Sequence, residues 1–528
     1  MKKQDSPSEA EEANRMWASA SFVGVLIIIG LPLWWKTTEV YRVALPYDKI
    51  NAFDTESHFI TTELTVLGYD QTTTDDIAAQ IEKAFEHSDV IKLKINRQIL
   101  SKKLQHALDS VADEQEAVEE VGKIFEMKHN TFYVVQRKPL FQDVWVGGER
   151  VAFFRDSKTS QSVVQVLRDW IYQPSVLTGS RSQAADSARQ VRFPTGPAYH
   201  VVLSVVHPTP QLMKVDFDSM EAVEDYIGSF VDEITELHNF TLKSQWLHLL
   251  DFDFEAKEIP EASSRGYHYA VRQDRLPLLL TRLEERAATH VSEQPTVNLA
   301  LYVVPCKIAP IAIYDNNNNK IQSPIQAFMS PKWGGVVFWN PSVKECEQQT
   351  YKPDVNMVMG TFLSQLRKLL GITDKETIPG GHLEALRSVV PRKWEVDALL
   401  RIRTLEQVTS AERSLKSLAK LLGEISNIVI NDEVGASINQ AVSSIHTATE
   451  LMEQGDLVAA HENSQQAFLA AETAFMEPSL LALLYFPDDQ KYAIYIPLFL
   501  PIMFPVVLSL KNLLLWVRGK PVHKEKTE

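Results

Sequence analysis

The two cysteines, Cys306 and Cys346, are the thiols with which this chain could do chemistry. Cys306 follows Pro305 at the end of an apolar stretch, and Cys346 lies between Glu345 and Glu347, whose negative charges disfavour a reactive thiolate. Two cysteines are too few for a four-thiolate zinc site. In an oxidising compartment they could form one disulfide, and a pair of free thiols is the alternative.

Other familiar catalytic and metal-binding patterns are missing from the sequence. It contains no G-x-S-x-G elbow, H-E-x-x-H pair, Walker phosphate loop or G-x-G-x-x-G turn. The 14 histidines are scattered, and none stands four residues from another. We therefore predict no catalytic, cofactor-binding or metal-binding residues.

Two short motifs remain as candidates for modification or binding. Asn239-Phe240-Thr241 is an N-glycosylation sequon. Trp333 and Trp339 flank a glycine pair and offer stacking faces for a carbohydrate or a partner protein. The same segment is also typical of a strand with core tryptophans, and this is the interpretation we favour.

Apolar segments at both ends of the chain predict two transmembrane helices. Residues 16–35 contain no charge and have the length that a helix needs to cross a hydrocarbon core of about 30 Å. A cleaved signal peptide is the alternative, but no A-x-A cleavage pattern follows the segment. Residues 493–510 are also uncharged, and apolar residues extend the second predicted helix to residue 517.

Three prolines spaced four residues apart, Pro497, Pro501 and Pro505, lie within the second apolar segment. Each removes a backbone donor, and at this spacing they share one side of a helix. They predict either a simple kinked span or a helix surface that packs against partner helices or a lipid headgroup.

The basic residues near the two apolar segments predict their orientation. Only Lys491 closely precedes the second segment. Five basic residues follow it, namely Lys511, Arg518, Lys520, Lys524 and Lys526. Basic residues accumulate on the cytosolic side, so we expect both termini in the cytosol and the body in a lumenal or extracellular space. Lys524 and Lys526 resemble a K-x-K-x-x retrieval signal of the endoplasmic reticulum, with a plain basic tail as the alternative.

The residues between the apolar segments predict a large α/β region followed by helices. The chain has 528 residues and a net charge of −15, which argues against a nucleic-acid-binding protein. Strand patterns at 131–136, 199–206, 299–304 and 311–314 alternate with helical patterns at 75–87, 99–127 and 354–370. We predict a cytosolic disordered tail at 1–15, an α/β region at 36–371, a linker at 372–391, an antiparallel helical region at 392–480 and a cytosolic basic tail at 518–528. The predicted fold class is thus a membrane-anchored α/β protein whose two transmembrane helices flank its body.

Several segments resemble one known family, the phosphatidylinositol-glycan biosynthesis class S proteins. They are residues 31–39 (LPLWWKTTE), 330–335 (SPKWGG), 421–430 (LLGEISNIVI), 478–481 (PSLL) and 484–501 (LYFPDDQKYAIYIPLFLP). These segments stand in the family's order, and the resemblance covers essentially the whole chain, most weakly between residues 50 and 300.

The resemblance implies a role in attaching GPI anchors to proteins. The GPI transamidase of the endoplasmic reticulum removes a C-terminal signal from a precursor protein and joins the new carboxyl end to a GPI glycolipid. The class S protein is similar to a scaffold in this complex, with two spans, a lumenal domain, no catalytic residues and no cofactor. The implied partners are the caspase-like class K catalytic subunit, the class T and class U subunits, the GPI anchor attachment protein, and membrane lipid including the glycolipid. A free-standing lumenal glycan- or protein-binding membrane protein is the alternative.

Overall fold

The structure, a computed structural model, divides the chain into two compact units. It describes residues 9–38, 41–182, 191–194, 196, 198–252, 256–261, 265–287, 294–386, 388–425, 428–478, 480 and 488–518. The smaller unit comprises residues 1–51, 414–440 and 470–528, and the larger comprises residues 52–413 and 441–469. Residues 392–413 and 441–469, which we assigned to a helical region by sequence, therefore belong to the same unit as the α/β region.

The strands all lie in the larger unit, as far as the structure describes the chain. They are β1 (Ile60–Gly68), β2 (Ile91–Ile99), β3 (Thr131–Gln136), β4 (Val144–Val146), β5 (Val151–Phe154), β6 (Ala198–His207), β7 (Lys214–Val215), β8 (Asn239–His248), β9 (Lys257–Pro260), β10 (Tyr267–Arg272), β11 (Thr296–Val303), β12 (Ile311–Tyr314), β13 (Gln326–Ser330), β14 (Gly334–Trp339), β15 (Thr350–Tyr351) and β16 (Gly381–Leu383).

Two mainly parallel sheets form the framework of this unit. The first has the order β16-β4-β5-β3-β1-β2, with only the β4–β5 pair antiparallel. The second has the order β13-β14-β11-β6-β8, with only the β13–β14 pair antiparallel. Parallel neighbours require crossover connections, which helices supply. The inner strands, such as β1, β6 and β11, are accordingly apolar and mostly buried, whereas the edge strands β2 and β8 are more polar and more exposed. The mixed α/β prediction is confirmed.

Small sheets and helices complete the chain. Strands β12-β10-β9 form a three-stranded sheet, and β15 pairs with β7. The larger unit contains the helices Gln71–Phe85, Lys102–Ser110, Glu114–Gly122, Ser160–Val166, Pro174–Ser182, Ser219–Ala222, Ser229–Asp232, Pro277–Arg286, Val343–Gln348 and Val355–Leu370. The helices Lys393–Glu424, Asp432–Gln454 and Leu457–Phe475 each contribute residues to both units, and Glu9–Val25, Leu31–Thr38, Tyr47–Asn51 and Asp488–Val517 belong to the smaller one.

Two local predictions differ from the structure. The helix predicted at 99–127 is wrong, because β2 ends at Ile99 and two shorter helices follow, the first capped by Ser101, whose Oγ accepts from Leu104 N. The segment predicted as a linker at 372–391 contributes β16, which extends the first sheet by pairing with β4. Within the same segment, Glu376 O accepts a hydrogen bond from Trp170 Nε1 at 2.9 Å.

The helix Lys393–Glu424 is buried on all sides between Trp394 and Thr409. Within this stretch its charged residues are as inaccessible as its leucines. The buried charged and polar side chains are Glu395, Asp397, Arg401, Arg403, Thr404, Glu406, Gln407, Thr409 and Glu412. A buried charge is tolerated only when a partner compensates it, so this helix requires oppositely charged residues from the surrounding elements.

Asp397 and Arg150 provide the central ion pair of this arrangement. Arg150 Nε donates to Asp397 Oδ2 at 2.6 Å and Arg150 Nη2 to Asp397 Oδ1 at 2.8 Å, and both side chains are almost fully buried. His129 Nδ1 lies 2.9 Å from the same carboxylate. Burial alone would raise the pKa of Asp397, but hydrogen bonds from Arg150 and His129 and the charges of Arg150 and Arg401 lower it below its ordinary value. Asp397 is therefore an ionised anchor for the strand β5, which follows Arg150.

A second buried carboxylate on this helix, Glu412, holds the segment that precedes β1. His58 Nε2 lies 2.7 Å from Glu412 Oε1, and Thr55 Oγ1 donates to Glu412 Oε2 at 2.9 Å. The Glu412 side chain has no exposed surface, and that of His58 is 11% exposed. Two successive polar contacts thus fix the entry into the first sheet.

The smaller unit contains the two apolar terminal segments. The stretch Ala13–Lys36 is long and apolar enough to cross a membrane. Near the C-terminus, Ala493–Pro501 and Met503–Val517 together have the length and composition of a span, with a bend of 50° between them. Trp34 packs edge-on against Phe499, their ring centroids 5.6 Å apart. The first span prediction agrees with the structure; the second remains a prediction.

A short extended segment after the first apolar helix also belongs to this unit. Val43 N donates to Ile430 O and Ile430 N to Tyr41 O, each at 3.1 Å. Arg42 Nη2 donates to Leu422 O, and a Cβ at Gly435 would lie 2.6 Å from Val43 Cγ1. The segment therefore packs closely on Leu422, Ile430 and Gly435.

We expect Asp397→Asn to lower the free energy of unfolding of the full-length chain by about 3–5 kcal/mol, because it leaves the buried Arg150 without its counter-charge. Urea unfolding in detergent, followed by tryptophan fluorescence, measures this. Asp374→Asn is the matched control, since Asp374 pairs with Lys368 at an 81% exposed position and should leave stability unchanged. Equal stability of the two variants would contradict the importance of the buried pair.

Candidate functional site

The structure brings the two cysteines together near the end of β11 and the start of the helix Val343–Gln348. Their Cα atoms are 6.0 Å apart, and a disulfide joins their Sγ atoms across 40 residues. Cys306 lies in a short turn after β11, and Cys346 lies in the helix that Ser342 begins with a capping box. In this arrangement neither thiol is available as a nucleophile.

Arg265 fills the space beside this disulfide. Its Nη1 donates to Cys306 O at 3.2 Å and Ala309 O at 3.1 Å, and its Nη2 donates to Pro341 O at 3.0 Å and lies 3.1 Å from Cys346 Sγ. One guanidinium therefore satisfies carbonyls from both sides of the bridge. The sequence around Arg265 carries no recognisable motif, and the contacts become visible only once the chain is folded.

The glycine pair of the tryptophan segment is explained by close packing. A Cβ at Gly334 would lie 1.7 Å from Asn298 O of β11, and one at Gly335 would lie 1.8 Å from Gln365 Oε1 on the helix Val355–Leu370. Gly334 also has φ +147°, a conformation that favours glycine. These contacts allow β14 to pair with β11 beneath that helix.

The two tryptophans of this segment are half-buried parts of the core. Trp333 packs against the apolar cluster that includes Tyr302 and Phe338. Trp339 packs edge-on against Tyr351, whose hydroxyl donates to Trp339 O at 2.6 Å. Burial raises the pKa of Tyr351 well above its ordinary value, so the hydroxyl stays a neutral donor. The favoured interpretation, a strand with core tryptophans, agrees with this geometry better than a flat carbohydrate platform does.

The predicted glycosylation residue, Asn239, is the first residue of β8 and is exposed. Thr241 of the same sequon is exposed as well. Within the described residues, β8 pairs only with β6 and forms an edge of the second sheet. The sequon is therefore sterically accessible in the folded chain.

The remaining predicted residues lie in or beyond the last apolar helix. Pro497, Pro501 and Pro505 are all inside the helix Asp488–Val517, and all three are exposed. The predicted retrieval residues, Lys524 and Lys526, lie outside the described residues. Across the part of the chain that the structure describes, no cluster of three or more His, Cys, Asp or Glu side chains has the arrangement of a metal site.

Comparison with known proteins assigns the chain to a family. The family model described as phosphatidylinositol-glycan biosynthesis class S protein matches residues 21–520. The chain belongs to this family. The protein named GPI-anchor transamidase component PIGS from Bos taurus is 32% identical, with 97% of both chains covered, and the protein of the same name from Homo sapiens is 31% identical, with 98% of both covered. The GPI transamidase component PIG-S homolog of Schizosaccharomyces pombe is 25% identical over 98% of this chain and 87% of its own.

For this member of the class S family, we expect the bond between Cys306 and Cys346 to form in cells and to stabilise the region by about 2–4 kcal/mol, since it closes a loop of 40 residues. Alkylation before and after reduction, read by mass spectrometry, should detect two protected thiols. Cys306→Ser, Cys346→Ser and the double variant should lose equal stability because they remove the same bond. Thiols that are alkylated without reduction would contradict the prediction.

Proposed function

We propose that this chain is a non-catalytic subunit of the GPI transamidase, the complex that attaches GPI anchors to the C-termini of precursor proteins. The observation that carries the proposal is the family match over residues 21–520 together with relatives named as transamidase components along nearly their full lengths. The role we infer is that of a scaffold that assembles the complex and helps to position the glycolipid or the precursor.

The non-catalytic part of the proposal is supported by the environment of the cysteines. An acyl-transfer reaction at a peptide bond needs an accessible nucleophile with a general base beside it. Both cysteines face each other in the disulfide geometry, and Arg265 occupies the space next to Cys346. The resemblance to the class S family implies that the nucleophile belongs to another chain of the complex, the caspase-like class K subunit.

The proposed location is the membrane of the endoplasmic reticulum, with two spans, both termini in the cytosol and the body in the lumen. The apolar helix Ala13–Lys36 and the bent pair of apolar helices near the C-terminus support the two spans. The five basic residues that follow the second apolar segment support the orientation. Lys524 and Lys526 would then act as a retrieval signal on the cytosolic side.

The proposed partners are the class K, class T and class U subunits and the GPI anchor attachment protein, and we place one contact with them on the proline face of the last helix. Pro497, Pro501 and Pro505 are exposed on one side of that helix. Proline leaves the carbonyl four residues earlier without its helical donor, and in lipid this carbonyl requires another partner. A neighbouring helix with hydroxyl or amide side chains would satisfy this requirement.

Extraction of the full-length chain in a mild detergent should recover the other transamidase subunits, and cells that lack the chain should lose GPI-anchored reporters from their surface. The variant in which all three prolines are replaced by leucine should co-purify with less of the other subunits and show less reporter at the cell surface. The matched control replaces the exposed Leu498, Leu500 and Leu508 by isoleucine and should leave both quantities unchanged. Recovery of the wild-type chain alone would overturn the subunit role. Unchanged recovery and reporter in the proline variant would overturn only the proposed contact.

The lumenal orientation predicts a glycan on Asn239. Digestion with an endoglycosidase should shift the electrophoretic mobility of the wild-type chain, and Asn239→Gln should remove that shift. Thr241→Ser is the control, because it keeps the sequon while altering the same exposed strand end. The orientation would be contradicted if the enzyme left the mobility of the wild-type chain unchanged and a second sequon, added to the predicted lumenal body, also stayed unmodified.

A further inference from the structure

An apolar cleft lies between the two apolar terminal helices of the smaller unit. Its volume is about 460 Å³, and it is partly open to the surface. It is lined by Leu26, Gly30, Leu31 and Trp34 on the N-terminal side and by Tyr495, Ile496, Phe499 and Met503 on the C-terminal side. Its walls are almost entirely carbon, so its contents must be apolar.

Local departures from regular helix shape create the cleft. The first apolar helix contains a π-helical turn at Leu26–Gly30, which is wider than an α-helical turn. Gly30 has no side chain to fill the gap, and a Cβ there would touch only Leu26 Cγ, at 3.6 Å. The edge contact between Trp34 and Phe499 spans the two walls.

The prolines of the second helix do not line the cleft. The helical spacing of 3.6 residues per turn places Pro497, Pro501 and Pro505 on the side opposite Phe499 and Met503. The partner contact proposed above and the cleft therefore occupy different faces of the same helix, and they can be tested separately.

The dimensions of the cleft decide what can occupy it. Leu26 and Trp34 are eight residues apart, about 12 Å along a helix, so a volume of 460 Å³ corresponds to a mean cross-section of about 40 Å². An α-helix with its side chains is 10–12 Å wide and needs about 80–110 Å². A further transmembrane helix is thus too thick to enter the cleft, whereas an alkyl chain fits inside it.

We propose that this cleft binds one alkyl chain of a membrane glycerolipid. The inference rests on the two-span arrangement of the proposed function, which puts the cleft at the lumenal end of the first span, next to Lys36. A glycerolipid of the lumenal leaflet would insert a chain between Gly30 and Phe499 while its headgroup lies near Trp34. The bound chain fills a gap that neither helix closes and so stabilises their pairing.

Photolabelling of the full-length chain in phosphatidylcholine bilayers tests the proposal. The probe is a phosphatidylcholine with a diazirine in its acyl chain, and mass spectrometry identifies the labelled residues. Label should appear on both walls, at residues 26–34 and 495–503. Gly30→Phe should reduce label on Phe499 and Met503 several-fold by filling the cleft. Met503→Trp fills it from the opposite wall and should reduce label on residues 26–34.

Gly24→Phe is the matched control, because Gly24 lies on the same helix outside the cleft and has no atom within 4 Å of an added Cβ. It should leave the labelling unchanged. Three results would each overturn the proposal. They are equal labelling in all variants, absence of label from the wild-type walls, and a crosslink from the variant Gly30→Cys to another protein chain. Co-purified subunits are measured in the same samples. Wild-type walls that stay unlabelled while the complex is intact refute the cleft alone, and wild-type labelling of a solitary chain refutes the subunit role alone.

Discussion

The buried ion pair between Asp397 and Arg150 is the constraint on which the larger unit depends. A helix with this many charges cannot lie in a core unless each charge meets a partner from another element. Arg150 lies directly before β5, His129 lies in the loop before β3, and Asp397 lies in the helix itself. The pair thus links residues almost 250 positions apart, and it fixes how the long helix lies against the first sheet.

Close approach of backbones is the second constraint in this unit. Gly334 allows β14 to lie against the backbone of Asn298 in β11, and Gly335 allows it to lie beneath Gln365 of the helix Val355–Leu370, at distances that no side chain would permit. Arg265 then joins Pro341, which follows β14, to the turn at Cys306 by donating to a backbone carbonyl of each. The motif that resembles the class S family at residues 330–335 is therefore explained by packing, and binding chemistry is not needed to account for it.

The two apolar terminal segments of the smaller unit have the composition and length of membrane spans. Their exposed surface between residues 16 and 35 and from 493 to 517 is rich in leucine, isoleucine and aromatic residues, which suits a hydrocarbon environment. In such an environment shape complementarity replaces the hydrophobic effect, so gaps between helices have to be filled by lipid or by protein. The π-helical turn at Leu26–Gly30 and the bend after Pro501 create one such gap.

The sequence by itself determined the parts that depend on local pattern and composition: the apolar terminal segments, the strands at 131–136 and 311–314, the helix ending at Leu370 and the resemblance to the family. These features follow from apolar runs and from the periodic spacing of apolar residues, which indicate the same element whatever it packs against. Only the tertiary structure decided which charges would be buried, that residues 381–383 would extend a sheet, and that Cys306, Cys346 and Arg265 would meet. Those outcomes depend on contacts between residues distant in the chain, which periodicity does not encode.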